Sequence, residues 1–113
     1  MVKTAYIGVI LLSMLISQEF VVQPYLQSPT WSTIHILWET DSGSESKVEW
    51  GSWQTLGEAT TGTSITSYGS NKLHTVQLAG LQTSARYYYR VITGNLTSEI
   101  YDFIMPSDPM DEA

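Results

Sequence analysis

The chain has 113 residues, of which 42% are hydrophobic and 14% charged, a composition that fits one globular domain with one core. Its formal net charge is −6 and it contains 5 lysines and arginines, so it repels phosphate backbones and nucleic acid is not an expected partner. Cysteine is absent, which removes disulfides, thiolate metal sites and cysteine nucleophiles. The stability of the fold therefore has to come from packing.

The first 17 residues have the pattern of a signal peptide. Lys3 precedes an apolar run that extends from Ala5 to Ile16, and the chain turns polar at Ser17. The run is about a dozen residues long, shorter than the roughly 20 that a membrane-spanning helix needs. We therefore expect 1–17 to be removed and the mature protein to be secreted, extracellular or periplasmic, without a membrane span. An uncleaved anchor or a buried strand is the alternative.

Short alternating runs separated by turn residues follow, a pattern typical of an all-β sandwich. The first run, 20–26, contains Pro24, which cannot donate to a strand ladder and so predicts an edge strand or a bulge. The next run, 33–38, alternates cleanly and places His35 and Leu37 on the outer face of the predicted strand.

Further strands are predicted at 46–51, 74–78, 81–91 and 99–105, and 52–71, which has weak periodicity, predicts one or two short edge strands. The total is about seven antiparallel strands, as in a fibronectin type III or immunoglobulin-like sandwich. The inward positions predict a core that consists of Ile34, Ile36, Trp38, Val48, Trp50, Val76, Leu78, Leu81, Tyr87, Tyr89, Val91 and Phe103.

One spacing indicates a tyrosine corner, in which a buried phenol closes a corner of the sandwich by bonding to upstream backbone. Leu81 lies six residues before Tyr87, and Tyr87 opens a strand with inward residues at alternate positions. The alternative is that Tyr87 is one more inward aromatic side chain.

Six segments together resemble a known family. The motif QPYLQ lies at 23–27, IHILWET at 34–40, ESKVEWG at 45–51, HTVQLAGL at 74–81, YYYRV at 87–91 and SEIYDF at 98–103. Their order and spacing are similar to those of the fibronectin type III-like domain at the N-terminus of purple acid phosphatases and related metallophosphoesterases. Thr83 departs from the pattern, since such domains usually have proline there.

The resemblance implies a domain over 18–105, followed at 106–113 by an acidic tail or truncated linker. In that family the dinuclear metal centre lies in a downstream α/β domain, which is missing from this chain. The resemblance therefore implies a non-catalytic accessory module with no cofactor of its own. Its partner would be a catalytic phosphatase domain, in cis or in trans.

The histidines offer no separate chemistry. His35 and His74 lie on different predicted strands, we expect both to face outward, and neither has clustered carboxylates nearby. We therefore expect no metal site and no catalytic residue in this chain. Since the resembling domains often carry histidine at the position of His74, the resemblance implies a structural role for it.

The predicted surface offers two further features. Asn95 begins an Asn-Leu-Thr acceptor pattern for N-glycosylation on a predicted hairpin. Tyr88, Trp31 and Trp53 are predicted to be exposed and to form a surface that docks on a partner domain or stacks on sugar rings. A stand-alone secreted adhesion or carbohydrate-binding module is therefore the alternative function.

Overall fold

The computed structural model describes residues 18–112, so the predicted signal peptide lies outside the described residues. The described part of the chain forms nine strands and ends in a short 3-10 helix, Pro109–Glu112. Among residues 18–112 no helix is long and apolar enough to cross a membrane. The strands are β1 Phe20–Gln27, β2 Ile34–Thr40, β3 Lys47–Gly51, β4 Glu58–Thr61, β5 Thr63–Thr66, β6 Lys72–Leu78, β7 Arg86–Thr93, β8 Leu96–Thr97 and β9 Tyr101–Ile104.

All strand pairs are antiparallel and form two sheets. Sheet A has the order β1-β2-β6-β5, and sheet B has the order β4-β3-β7 with both β8 and β9 paired to β7. This architecture confirms the predicted all-β, fibronectin type III-like sandwich. The count exceeds seven because 52–71 supplies two short strands, and because the chain after Asn95 returns along β7 as the two-residue β8.

Strand β1 illustrates how one residue type sets the place of a strand. It lies at the edge of sheet A, and its register against β2 shifts between Phe20 and Val22 and again between Val22 and Tyr25. Pro24 falls within the second shift, where its missing N–H costs no ladder hydrogen bond.

The core lies between the two sheets at the inward positions of the central strands. Trp38, Ile36, Val48, Val76, Leu78 and Val91 are fully buried there. Met105, just after β9, is also buried; it shares the inward parity of Phe103, although it was not among the predicted core residues.

Trp50 and Leu37 are buried to a different extent than the sequence pattern predicts. Trp50 faces the core but is only partly buried, because it lies next to the short edge strand β4, where its indole N–H donates to Thr60 Oγ1 at 3.0 Å. Leu37, predicted to face outward, is 7% exposed. It points to the outer face of sheet A, where it lies in register between Tyr25 of β1 and Thr75 of β6.

The corner before β7 is closed by a side chain. The backbone N–H of Gln82 donates to the Tyr87 phenol oxygen at 2.9 Å, and Leu81 is buried beside it. The Leu81 N–H in turn donates to the carbonyl of Ser32 at 3.0 Å, in the loop between β1 and β2. The phenol therefore holds the 79–85 loop, and through Leu81 it also holds the 28–33 loop.

Replacing Tyr87 with phenylalanine keeps the ring in the core but leaves the N–H of Gln82 without its acceptor. We expect the free energy of unfolding to fall by about 1 kcal/mol or somewhat more. Urea denaturation measures this change, and Tyr68→Phe is the matched control because Tyr68 is 86% exposed. An unchanged midpoint for Tyr87→Phe would contradict a stabilising role for the phenol.

Candidate functional site

Three loops and the end of β9 meet at one end of the sandwich, which we call the loop end. The register pairs Ile34 with Leu78, Gly51 with Tyr88 and Arg86 with Ile104. Strand ends that pair with one another lie at the same end of a sandwich, so the loops 28–33, 52–57 and 79–85 are neighbours there. The segment after Ile104 leaves β9 at the same end.

Two of the three predicted surface aromatics touch each other. Trp53, in the 52–57 loop, is 62% exposed, and its ring meets that of half-buried Tyr88 with centroids 5.8 Å apart and an angle of 74° between the planes. This edge contact lets Tyr88 support the indole while the indole stays open to solvent.

Trp31 lies in a different loop at the loop end. It is 49% exposed and follows Thr30, whose hydroxyl accepts the N–H of Thr33 at 3.0 Å and so fixes the turn. Within residues 18–112 no ring contact joins Trp31 to Trp53 or Tyr88. The structure thus places all three aromatics at or next to the loop end, but it pairs only two of them.

The segment after β9 is anchored at this end. The N–H of Met105 donates to the carbonyl of Ala85 at 2.9 Å, and the N–H of Ser84 donates to the carbonyl of Pro106 at 3.3 Å. The predicted acidic tail, 106–113, includes the 3-10 helix, where Asp108 caps the N–H of Met110 at 2.9 Å. The chain therefore leaves the sandwich beside the three loops.

A cleft opens on the outer face of sheet B, beside the Trp53–Tyr88 pair. Its volume is about 180 Å³, and it is lined by Glu49, Arg90 and residues 55–59. Arg90 Nε donates to Glu49 Oε1 at 2.7 Å across the β3–β7 pair. Gly51 shapes the rim, because a Cβ there would lie 1.9 Å from the carbonyl oxygen of Leu56, so only glycine lets the loop fold this closely onto β3.

The opposite end of the sandwich, which we call the His74 end, contains a buried polar network. His74 is fully buried, so the prediction that it faces outward is wrong: its position on β6 shares the inward face with Val76. Its Nε2 lies 2.8 Å from Thr40 Oγ1, and its Nδ1 lies 2.7 Å from Ser46 Oγ. The inward parity of His74 and Thr40 was the sequence signal for this network.

The network joins both sheets, since Thr93 Oγ1 of β7 lies 3.5 Å from His74 Nε2, and it suits a neutral imidazole. Thr40 Oγ1 donates to the carbonyl of Ser42 at 2.9 Å, which leaves the oxygen free to accept from Nε2. Ser46 Oγ has one proton and lies 2.7 Å from Nδ1 but 3.4 Å from the carbonyl of Ser44, so the shorter contact assigns that proton to Nδ1. The ring of His74 also stacks on that of Trp38 at 5.0 Å. Burial, followed by the positive charge of Lys72, lowers the pKa of His74, so the imidazole is uncharged at neutral pH.

His35 and Tyr89 also carry buried polar atoms, but neither belongs to this network. His35 lies on the outer face of sheet A, as predicted, and its buried Nδ1 has no hydrogen-bond partner among the described residues. Burial raises the pKa of Tyr89 to about 12, with further contributions from Tyr101 and Asp102, so this phenol remains protonated. Within residues 18–112 no group of three or more histidines and carboxylates could hold a metal ion.

Asn95 lies at the His74 end. It is exposed in the tight turn between β7 and β8, and its backbone N–H donates to Gln18 Oε1 at 3.2 Å. The acceptor side chain of the Asn-Leu-Thr pattern is therefore accessible and distant from the loop end.

Comparison with known families decides what this sandwich is related to. The profile of the family described as "Purple acid Phosphatase, N-terminal domain" matches residues 21–105, from β1 to Met105. The chain belongs to this family. The matched domain is the accessory N-terminal domain of purple acid phosphatase-like proteins, and the match includes no catalytic domain.

Solved structures show the same fold at low sequence identity. The sensor domain of the anti-sigma factor RsgI4 from Pseudobacteroides cellulosolvens is similar in its longer form, with a TM-score of 0.60 and 13% identity over 81% of this chain and 92% of that one. The shorter form gives a TM-score of 0.56 at 13% identity, covering 82% of this chain and 99% of that one. The search of curated proteins finds no match.

The lowered pKa of His74 predicts an acid-sensitive fold. In the unfolded chain the imidazole titrates near its ordinary value of 6.5, whereas the folded imidazole resists protonation. The unfolded state therefore binds more protons as the pH falls below 6.5. The contribution of neutral His74 to the free energy of unfolding is fully present above that pH and is lost progressively below it.

Urea denaturation at pH 7.5 and at pH 5 tests this expectation, because His74 takes up more protons in the unfolded chain than in the folded chain over that range. His74→Gln should remove most of the fall in stability, and His35→Gln is the control that should keep it. NMR titration of the His74 ring in the unaltered chain gives a direct second measurement. An imidazole that titrates at or above 6.5 would contradict the assignment.

Proposed function

We propose that the chain is a non-catalytic accessory module that docks on the catalytic domain of a purple acid phosphatase-like protein. The docking surface is the loop end, with Trp31 in one loop and the Trp53–Tyr88 pair at its border. The observation that carries this proposal is that the chain leaves the sandwich at this same end, held there by Met105 and Pro106. A catalytic domain joined after the 3-10 helix would lie against these aromatics.

The exposed indoles suit such a surface. Tryptophan and tyrosine dominate the energetics of protein interfaces, because a rigid ring buries a large area at little entropic cost. The loops that carry them are already ordered. In the 28–33 loop the carbonyl of Ser32 accepts the N–H of Leu81 at 3.0 Å, and in the 52–57 loop Leu56 donates its N–H to the carbonyl of Trp53 at 3.0 Å. An ordered surface has little conformational entropy to lose on binding.

The proposal assigns hydrolysis of phosphomonoesters to the partner domain alone. A two-metal site requires several convergent carboxylates and imidazoles. His74 is occupied by Thr40 and Ser46, and His35 lies on the outer face of sheet A. In this proposal the chain binds no metal cofactor of its own.

The proposal also includes secretion, supported by the signal-like pattern of 1–17. In a host that glycosylates secreted proteins, a glycan on Asn95 would lie at the His74 end. It would therefore leave the loop end free for the partner.

The docking prediction is tested with Trp31→Ala and Trp53→Ala. Titrating the chain with a purple acid phosphatase catalytic domain from the same organism, by calorimetry, should show that each change weakens binding by about tenfold. Tyr68→Ala is the control, since Tyr68 is an exposed aromatic that lies in the β5–β6 turn at the His74 end. Docking would be contradicted by wild-type affinity in both tryptophan variants, or by no binding at all.

The catalytic prediction is separate. The purified chain should not hydrolyse p-nitrophenyl phosphate with added iron, zinc or manganese, because it has no convergent ligand set in its described part. Metal-dependent turnover that disappears in His35→Ala or His74→Ala would show that the chain is itself an enzyme.

A further inference from the structure

The Trp53–Tyr88 pair continues into a polar cleft. Tyr88 and Arg90 are two residues apart on the outward face of β7, a separation of about 7 Å along the strand. Arg90 pairs in register with Glu49, and the loop that carries Trp53 also supplies residues 55–57 to the cleft. The aromatic pair and the cleft therefore form one continuous surface.

The charged side chains of the cleft hold each other in place, and each keeps hydrogen-bonding atoms that are not used by the described residues. Arg90 uses Nε to bind Glu49, and both side chains are partly exposed. Within residues 18–112 no other hydrogen bond is made by the terminal nitrogens of this guanidinium or by the second oxygen of this carboxylate. The pair thus offers donors and acceptors side by side, at fixed positions.

The charges select the class of ligand. Arg90 and Glu49 neutralise each other, so an ion of either sign gains little from the pair. Glu58 on the rim and the net charge of −6 further disfavour anions. A purely apolar ligand would strip water from both charged groups at a cost in free energy. A neutral ligand with many hydroxyl groups can hydrogen-bond to both Arg90 and Glu49, so it avoids both the charge repulsion and the cost of removing water from these groups.

The size of the cleft and the exposed indole of Trp53 narrow the class of neutral ligand further. A cleft of about 180 Å³ is smaller than the roughly 300 Å³ at which sites for drug-sized ligands begin, so it suits a single ring. The open indole of Trp53 offers a flat apolar surface of the kind on which the C–H groups of a pyranose ring pack.

We propose that the outer face of sheet B is a binding site for a neutral saccharide. One ring stacks on Trp53, which Tyr88 supports, and its hydroxyl groups accept from Arg90 and donate to Glu49. This site does not depend on docking to a catalytic domain, because it is complete within one chain.

The test is a titration of the purified chain with the methyl glycosides of glucose, galactose, mannose and N-acetylglucosamine. Tryptophan fluorescence and the backbone amide shifts of 52–59 and 88–90 follow binding. At least one glycoside should bind with a dissociation constant on the order of 1 mM, which is typical of a small open site. Glucose 6-phosphate and glucuronate should bind more weakly.

Matched variants distinguish this site from non-specific sugar binding elsewhere on the surface. Trp53→Ala and Arg90→Ala should each weaken binding by about tenfold. Trp31→Ala and Arg86→Ala should leave it unchanged, since Trp31 is an exposed tryptophan outside the site and Arg86 pairs with Asp102 on the same face.

Three results would overturn the proposal: no binding of any of the four glycosides, tighter binding of the anionic sugars, or wild-type affinity in Trp53→Ala. The docking proposal has a different signature. Trp31→Ala weakens docking and spares sugar binding, whereas Arg90→Ala weakens sugar binding, so failure of one proposal is distinguishable from failure of the other.

Discussion

The hydrogen bond from the Trp38 indole N–H to Thr93 Oγ1, 2.9 Å long and fully buried, joins the two sheets of a chain that has no cysteine. Trp38 belongs to β2 of sheet A and Thr93 to β7 of sheet B. Thr93 in turn donates to the carbonyl of Glu45 at 2.8 Å, so the contact also fixes the loop between β2 and β3. The burial of Trp38 stabilises the fold. Because the interior has a low dielectric constant, this burial is favourable only if the indole N–H finds a hydrogen-bond acceptor there.

This arrangement divides the sandwich into two ends with different properties. At the His74 end the side chains of His74, Thr40 and Ser46 point inward and bond one another, so they are not available to a ligand. At the loop end and on the adjacent face of sheet B, Trp31 and Trp53 point outward. The tyrosine corner connects the core to the loop end, because Tyr87 packs against core residue Phe103 and bonds the 79–85 loop. The core thereby provides a rigid support for the exposed aromatics.

The sequence predicted the sandwich and most of its core because a two-residue alternation directly reports which side chains face inward. The burial of Leu37 was not predictable, since it depends on neighbours from β1 and β6 that are distant in sequence. The outward prediction for His74 followed from the polarity of histidine, whereas its parity with Val76 indicates the inward face. The contact between Trp53 and Tyr88 and the cleft beside it arise from a non-periodic loop that folds back onto Gly51, and no local pattern reports such a contact. For the surface, the sequence pattern predicted neither that Tyr88 is half-buried nor that it meets Trp53.

Hydrogen–deuterium exchange shows directly whether the chain docks on a catalytic domain through its loop end. Exchange would be measured on the chain alone and with a purple acid phosphatase catalytic domain from the same organism. If the loop end is the docking surface, protection increases in the loops 28–33, 52–57 and 79–85 and stays unchanged in the β5–β6 turn. Protection confined to the His74 end, around Asn95 and the β5–β6 turn, would contradict docking through the loop end.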